Sequence, residues 1–139
     1  MTNSMLAHQN FLTIEFDAKL IESAIKSTFE IVDSAQSWPT WVLTNHDSIR
    51  IASRIGQLPA KSLALFTLAL PGCSYIYNGQ ELGLPNVNDL PDDVLQDPIF
   101  FRTQGENRGR DGCRIPMPWH GTTAPYGFST TADTWLPMP

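Results

Sequence analysis

An amide, an imidazole and a carboxylate occupy three consecutive positions at Asn45-His46-Asp47, directly after the apolar run Trp41-Val42-Leu43. A carboxylate accepts hydrogen bonds from hydroxyls and favours positive charge developing nearby, while an imidazole beside it can donate or carry a proton. In parallel α/β sheets ligands meet the protein at the carboxyl ends of strands, so three polar side chains there read as a site with Asp47 at its centre. The same residue types also suit a purely structural role, in which Asn45 and Asp47 turn the chain and cap a helix begun by Ser48-Ile49-Arg50. A second charged group lies far along the chain, where Arg110 and Arg114 flank Asp111. Guanidinium forks grip hydroxyls and carboxylates in a fixed geometry that lysine cannot reproduce. Arg114 and Asp111 serve equally well as braces of a loop. Arg50 is expected to pair with a nearby carboxylate rather than to touch a ligand.

The elements that must position these groups follow from hydrophobic spacing. From Asn10 to Phe16, Phe11, Thr13 and Glu15 alternate with Leu12, Ile14 and Phe16, the pattern of a short strand. From Asp17 the period lengthens: Leu20, Ile21, Ala24, Ile25, Thr28 and Phe29 form one face of a helix, Lys19, Glu22 and Lys26 the other, with Asp17 placed to cap it. Trp38-Pro39 imposes an extended approach to a second strand, the one that ends in Asp47. A short helix through Arg50, Ala52 and Arg54 reaches Gly56, and a mostly apolar one starts at Pro59 and stops at Pro71-Gly72. Cys73 to Tyr77 is a third strand. Strands separated by helices of this length imply a parallel sheet, which must be covered on both faces. Residues 84–139 are rich in Pro, Gly and Asp and carry no sustained periodicity, too long for an ordinary connection. Within them Pro116, Met117, Pro118 and Trp119 form either an apolar wall for a ligand ring or loop core, and loop core is the preferred reading.

Composition narrows the function. The 139 residues include 42% hydrophobic ones, enough for a core, and carry a formal charge of −5. With a pI near 4.9 and scattered Lys and Arg, the chain has no electrostatic footprint for nucleic acid or an anionic membrane. Its longest apolar run, Leu63 to Leu70, is far short of the ~20 residues that span a bilayer. Cys73 and Cys113 lack metal-ligand or CxxC spacing and read as free thiols of a cytoplasmic protein, with a disulfide between them as the alternative. No metal or cofactor is implied.

Three motifs in register carry a resemblance. Thr40 to Asp47 followed by Arg50, then Leu70-Pro71-Gly72 with Tyr75-Ile76-Tyr77-Asn78-Gly79-Gln80-Glu81-Leu82-Gly83, and finally Gly109-Arg110-Asp111-Gly112-Cys113-Arg114-Ile115-Pro116-Met117-Pro118-Trp119, are similar to the α-glucosidase and oligo-1,6-glucosidase branch of the α-amylase superfamily. The resemblance implies an α/β fold, part of a (β/α)8 barrel: residues 1–83 would hold strands six to eight with their helices, and residues 84–139 the truncated loop region after strand eight.

It also implies a chemistry. The family hydrolyses α-glucosidic bonds with retention, using an Asp nucleophile and a Glu acid/base on the fourth and fifth barrel strands, ~5–5.5 Å apart, and a third, assisting carboxylate. The third maps onto Asp47 as transition-state stabiliser. His46 and Arg110 map onto contacts to the bound glucose, with Asn45, Arg50, Asp111 and Arg114 in supporting places. The chain starts after the first two carboxylates, so the expected reading is a fragment of an enzyme acting on short α-linked glucosides and inactive alone. The alternative is a non-catalytic glycosidase-like partner or scaffold protein, for which retention of Asn45, His46, Asp47 and Arg110 has no use.

Overall fold

A computed structural model describes residues 11–131 and 133–138. Helix α1 (Ala18–Ser34) starts where the Asp17 carboxylate accepts hydrogen bonds from the backbone N–H groups of Lys19 and Leu20, at 2.9 and 3.0 Å. Its buried residues Ala24, Thr28 and Val32 recur at every fourth position. Thr28 is accommodated in that apolar face because its hydroxyl donates to the Ala24 carbonyl at 2.7 Å.

Strand β1 (Thr40–Val42) runs parallel to β2 (Cys73–Tyr75), with Trp41 opposite Ser74. Between them lie α2 (Ile51–Ile55) and α3 (Gln57–Leu68), completing one βαβ unit. Two contacts set the pairing. The Trp41 indole donates to the Pro71 carbonyl at 2.9 Å, and the Cys73 N–H donates to the Pro39 carbonyl at 3.0 Å. The second depends on Gly72, which has φ +116° and where a Cβ would stand 2.4 Å from the Pro39 oxygen. Trp41 is buried at the centre of the main core, edge-on to Phe11 (5.3 Å between ring centroids) and Phe29 (6.0 Å), among Ile14, Leu43, Ile51, Ala60 and Leu63.

The expected strand from Asn10 to Phe16 does not form. Asn10 lies outside the described residues, and residues 11–13 are helical. Phe11 and Ile14 are both buried in the same cluster as Trp41. Alternation would have sent them to opposite faces, whereas a three-residue spacing on a helical turn puts both on one. Among the described residues the sheet is therefore two-stranded and open, and the third strand, expected to run to Tyr77, ends at Tyr75. Much of the apolar surface of α3 stays uncovered: Leu58 is 78% exposed and Leu65 72%.

The segment after Gly83 holds few regular elements: single 3₁₀ turns at Asp92–Val94 and Asp111–Cys113, and the short helix α4 (Pro98–Arg102). It has its own small core, Leu90, Leu95 and Leu136, with Val87, Val94 and Phe100 packed around. Met117 is buried and Pro116 almost fully so, as loop core requires, but Trp119 is 64% exposed, contrary to the expectation that it joins that core.

Candidate functional site

After β1 the chain turns tightly. The Asn45 N–H donates to the Ser48 hydroxyl at 3.0 Å, and the Asn45 side-chain oxygen accepts the Asp47 N–H at 2.9 Å. Asn45 is thus a turn residue, one of the two roles its type allows. Its turn leaves His46 and Asp47 pointing outward, with 49% of the Asp47 side chain exposed. Asp47 does not cap the following helix, which begins at Ile51 without a side-chain cap.

Asp47 meets the loop region instead. One carboxylate oxygen, Oδ1, accepts from Arg110 Nη1 at 2.7 Å and from Arg114 Nη2 at 2.8 Å, residues 63 and 67 positions further along. Oδ2 faces His46 Nε2 at 3.3 Å. Desolvation pushes the Asp47 carboxyl up, but the Arg110 hydrogen bond, the His46 charge and the Arg114 hydrogen bond outweigh it and hold the group below its ordinary range. An ionised acceptor and an imidazole donor therefore stand side by side at the surface, an arrangement suited to vicinal hydroxyls and to positive charge developing beside them.

The two arginines are themselves held. Arg114 Nε donates to the His46 carbonyl at 2.8 Å, and the Cys113 thiol lies 3.3 Å from the same oxygen. Arg110 is gripped by Asp97: Nε to Oδ2 at 2.6 Å and Nη2 to Oδ1 at 3.2 Å, with the Arg110 backbone N–H also donating to Oδ2 at 2.9 Å. The Asp97 side chain is 1% exposed. Its hydrogen bonds from Arg110 prevail over burial, and with the Ile99 N–H they hold its carboxyl far below the usual range while raising the Arg110 guanidinium. Asp111 touches neither Asp47 nor the arginines' ends. It is buried, and its Oδ2 accepts the N–H groups of Gln96 (2.6 Å) and Asp97 (2.8 Å), bracing the loop beneath.

Arg50 departs from expectation. No carboxylate is in ion-pair contact with it among the described residues; its Nη1 donates to the Asn78 carbonyl at 2.7 Å and its guanidinium lies 4.8 Å over the Tyr77 ring. A carbonyl and an aromatic face are the partners of this deeply buried guanidinium, while its Nε has no hydrogen-bond partner among the described residues. Tyr77 in turn donates to the Cys113 carbonyl at 3.0 Å, tying the segment just after β2 to the loop that carries both arginines. Asp97 is the residue that sequence reasoning missed. Its signal was present: Asp before Pro98 and an apolar triplet is a helix start, and Asp97 does cap α4 by accepting the Ile99 N–H at 3.1 Å. Among the described residues no group of three or more His, Cys, Asp or Glu is arranged to hold a metal ion.

A parallel βαβ unit with a carboxylate in the turn after its first strand, clasped by arginines of the following loop, defines a fragment of an α/β domain. Residues 2–139 match the family model described as alpha amylase, catalytic domain, and the chain belongs to that family. It is 37% identical over 109 residues to a probable alpha-glucosidase of Rhizobium meliloti, covering 74% of this chain and 19% of the relative. To the oligo-1,6-glucosidase IMA5 of Saccharomyces cerevisiae it is 29% identical over 152 residues, 90% of this chain and 26% of that one. In three dimensions it is similar to the trehalose-6-phosphate hydrolase of Bacillus licheniformis, with a TM-score of 0.64 and 26% identity over 94% of this chain and 27% of that one. An inactive double mutant of MutB in complex with isomaltulose superposes with a TM-score of 0.68 at 26% identity, covering 86% of this chain and 25% of that one. The chain thus spans about a fifth to a quarter of the length of the curated relatives it matches.

Proposed function

We propose that this chain supplies one wall of the glucose pocket of a retaining α-glucosidase, with β1 and β2 as the seventh and eighth barrel strands and the segment up to Phe16 in the place of the sixth. The observation that carries this reading is the double grip on Asp47 by Arg110 and Arg114. A carboxylate held ionised at a strand end is what an oxocarbenium-like transition state requires of an assisting group. In this reading Asp47 stabilises that charge, and His46 and Arg110 contact the sugar hydroxyls. Arg114, Asp111, Asn45 and Arg50 keep the loop and turn in register. The ligands are short α-linked glucosides. Two free thiols, Cys73 and Cys113, agree with a cytoplasmic setting.

A polypeptide of these 139 residues offers only the assisting carboxylate of the family's trio and not the nucleophile and acid/base pair that stand ~5–5.5 Å apart about the anomeric carbon, so it binds without hydrolysing. Two measurements on the purified chain test this. Titration with methyl α-glucoside followed by NMR is expected to shift His46, Asp47 and Arg110 resonances before any others, and p-nitrophenyl-α-glucoside is expected to stay intact. Shifts confined to residues remote from Asp47 refute the pocket, and release of nitrophenol refutes the inactivity.

A further inference from the structure

Arg110 has two loyalties. One end of its guanidinium, Nη1, reaches the exposed carboxylate of Asp47, while Nε, Nη2 and the backbone N–H of the same residue all go to the buried carboxylate of Asp97. A guanidinium is planar, so fixing Nε and Nη2 in one fork leaves Nη1 a single direction in which to point. The fork cannot drift, because Asp97 is itself fixed: its N–H is held by the buried Asp111 and its Oδ1 also caps α4 through Ile99. The backbone is shaped for this contact. Gly109 has φ +74°, and a Cβ there would stand 2.6 Å from the Asp97 Cβ and 2.7 Å from Ile99, so only glycine lets the chain pass close enough for the Arg110 N–H to reach Oδ2.

We infer that Asp97 is a positioning residue, which aims Arg110 at Asp47 and so sets the geometry of the sugar pocket without touching the sugar. The inference rests on the pocket reading proposed above, and adds that the buried side of the arginine, not its contact with Asp47, determines where the site's cation sits. A carboxylate in this place does more than a helix cap does. Asparagine keeps a cap oxygen for the Ile99 N–H but presents neither a charge nor a second acceptor to the fork.

Asp97→Asn separates the two roles in the full 139-residue chain. The expected result is that the Ile99 amide keeps its protection, the Arg110 Nε–H exchanges with water ~10-fold faster, and affinity for methyl α-glucoside falls ~10-fold, the scale of a misaimed binding group. An Asp97→Asn chain whose Arg110 Nε–H exchange and sugar affinity match those of the wild type overturns the proposal. Should the variant not fold, the wild type decides: a through-hydrogen-bond coupling between Arg110 Nε and the Asp97 carboxyl carbon is required, and its absence is fatal. Wild-type protein that shows this coupling but binds no methyl α-glucoside overturns the pocket reading alone and leaves the aim of Arg110 at Asp47 intact.

Discussion

The helical region and the proline-rich loop that follows it are stabilised by different balances of apolar packing and buried charge. From Phe11 to Gly83 the chain is held by apolar packing around Trp41 and by regular backbone hydrogen bonds, yet it leaves Leu58, Leu65 and the β2 residue Tyr75 facing outward. Beyond Gly83 regular elements are scarce, and beside a small apolar core buried charges carry the order: Asp97 and Asp111 are almost wholly enclosed, Asp97 accepting through both carboxylate oxygens and Asp111 through Oδ2. Apolar packing is non-directional and tolerates an uncovered flank. A buried carboxylate tolerates no missing partner. The region that would surround a sugar is therefore the more exactingly built of the two, although it has less secondary structure.

The contrast can be broken first at Trp41. Trp41→Ala is expected to cost about 4 kcal/mol in chemical denaturation, since it empties the main core and removes the hydrogen bond to Pro71 that helps pair the strands. Gly109→Ala comes next, at about 2–3 kcal/mol. It meets both a positive φ and the side chains of Asp97 and Ile99, and its damage should be confined to amide protection in the loop. A Gly109→Ala chain as stable as the wild type would show that the loop is looser than its hydrogen bonds imply.

Acid sharpens the comparison further. The folded-state value of Asp97 is depressed, so its contribution is fully present above the ordinary aspartate range near 3.9 and is lost as pH falls below about 5 toward the depressed value. Urea midpoints should drop between pH 6 and pH 3 by an amount worth about 1–2 kcal/mol, and Asp97→Asn should flatten that limb while lowering the plateau. An acid limb equally steep in the variant would place the acid sensitivity elsewhere. The smallest effect is expected on α3, where Leu65→Gln alters stability by less than about 0.5 kcal/mol, because a side chain 72% exposed has little burial to lose.

How much of this was legible from the residues alone follows the same division. Helix α1 with its Asp17 cap, the apolar helix α3 and its stop before Gly72, and the parallel strands flanking it were readable, because period and punctuation are local signals. The strand expected at Asn10–Phe16 was not. Its alternation is a real pattern, but strand formation needs a paired neighbour, and burial of Phe11 and Ile14 against Trp41 prevails over it in a helical turn. At the site, Asp47, Arg110 and Arg114 could each be picked out from residue type and motif order, though not that both arginines reach the same Asp47 oxygen. The buried side of that network could not, since nothing local in Asp97-Pro98 says that its carboxylate will meet Arg110 thirteen positions later. Arg50 failed for a related reason: its acceptor is a main-chain carbonyl, which every residue possesses and no sequence distinguishes.

The same anonymity has a use at His46. Arg114 and the Cys113 thiol fasten the loop to the carbonyl oxygen of that residue, not to its imidazole. Whatever side chain occupies position 46 will present the same oxygen to the same clasp, so the joint between turn and loop is indifferent to substitution there. The outer face of the turn can thus be rewritten, by evolution or by design, at a residue whose backbone already does the mechanical work.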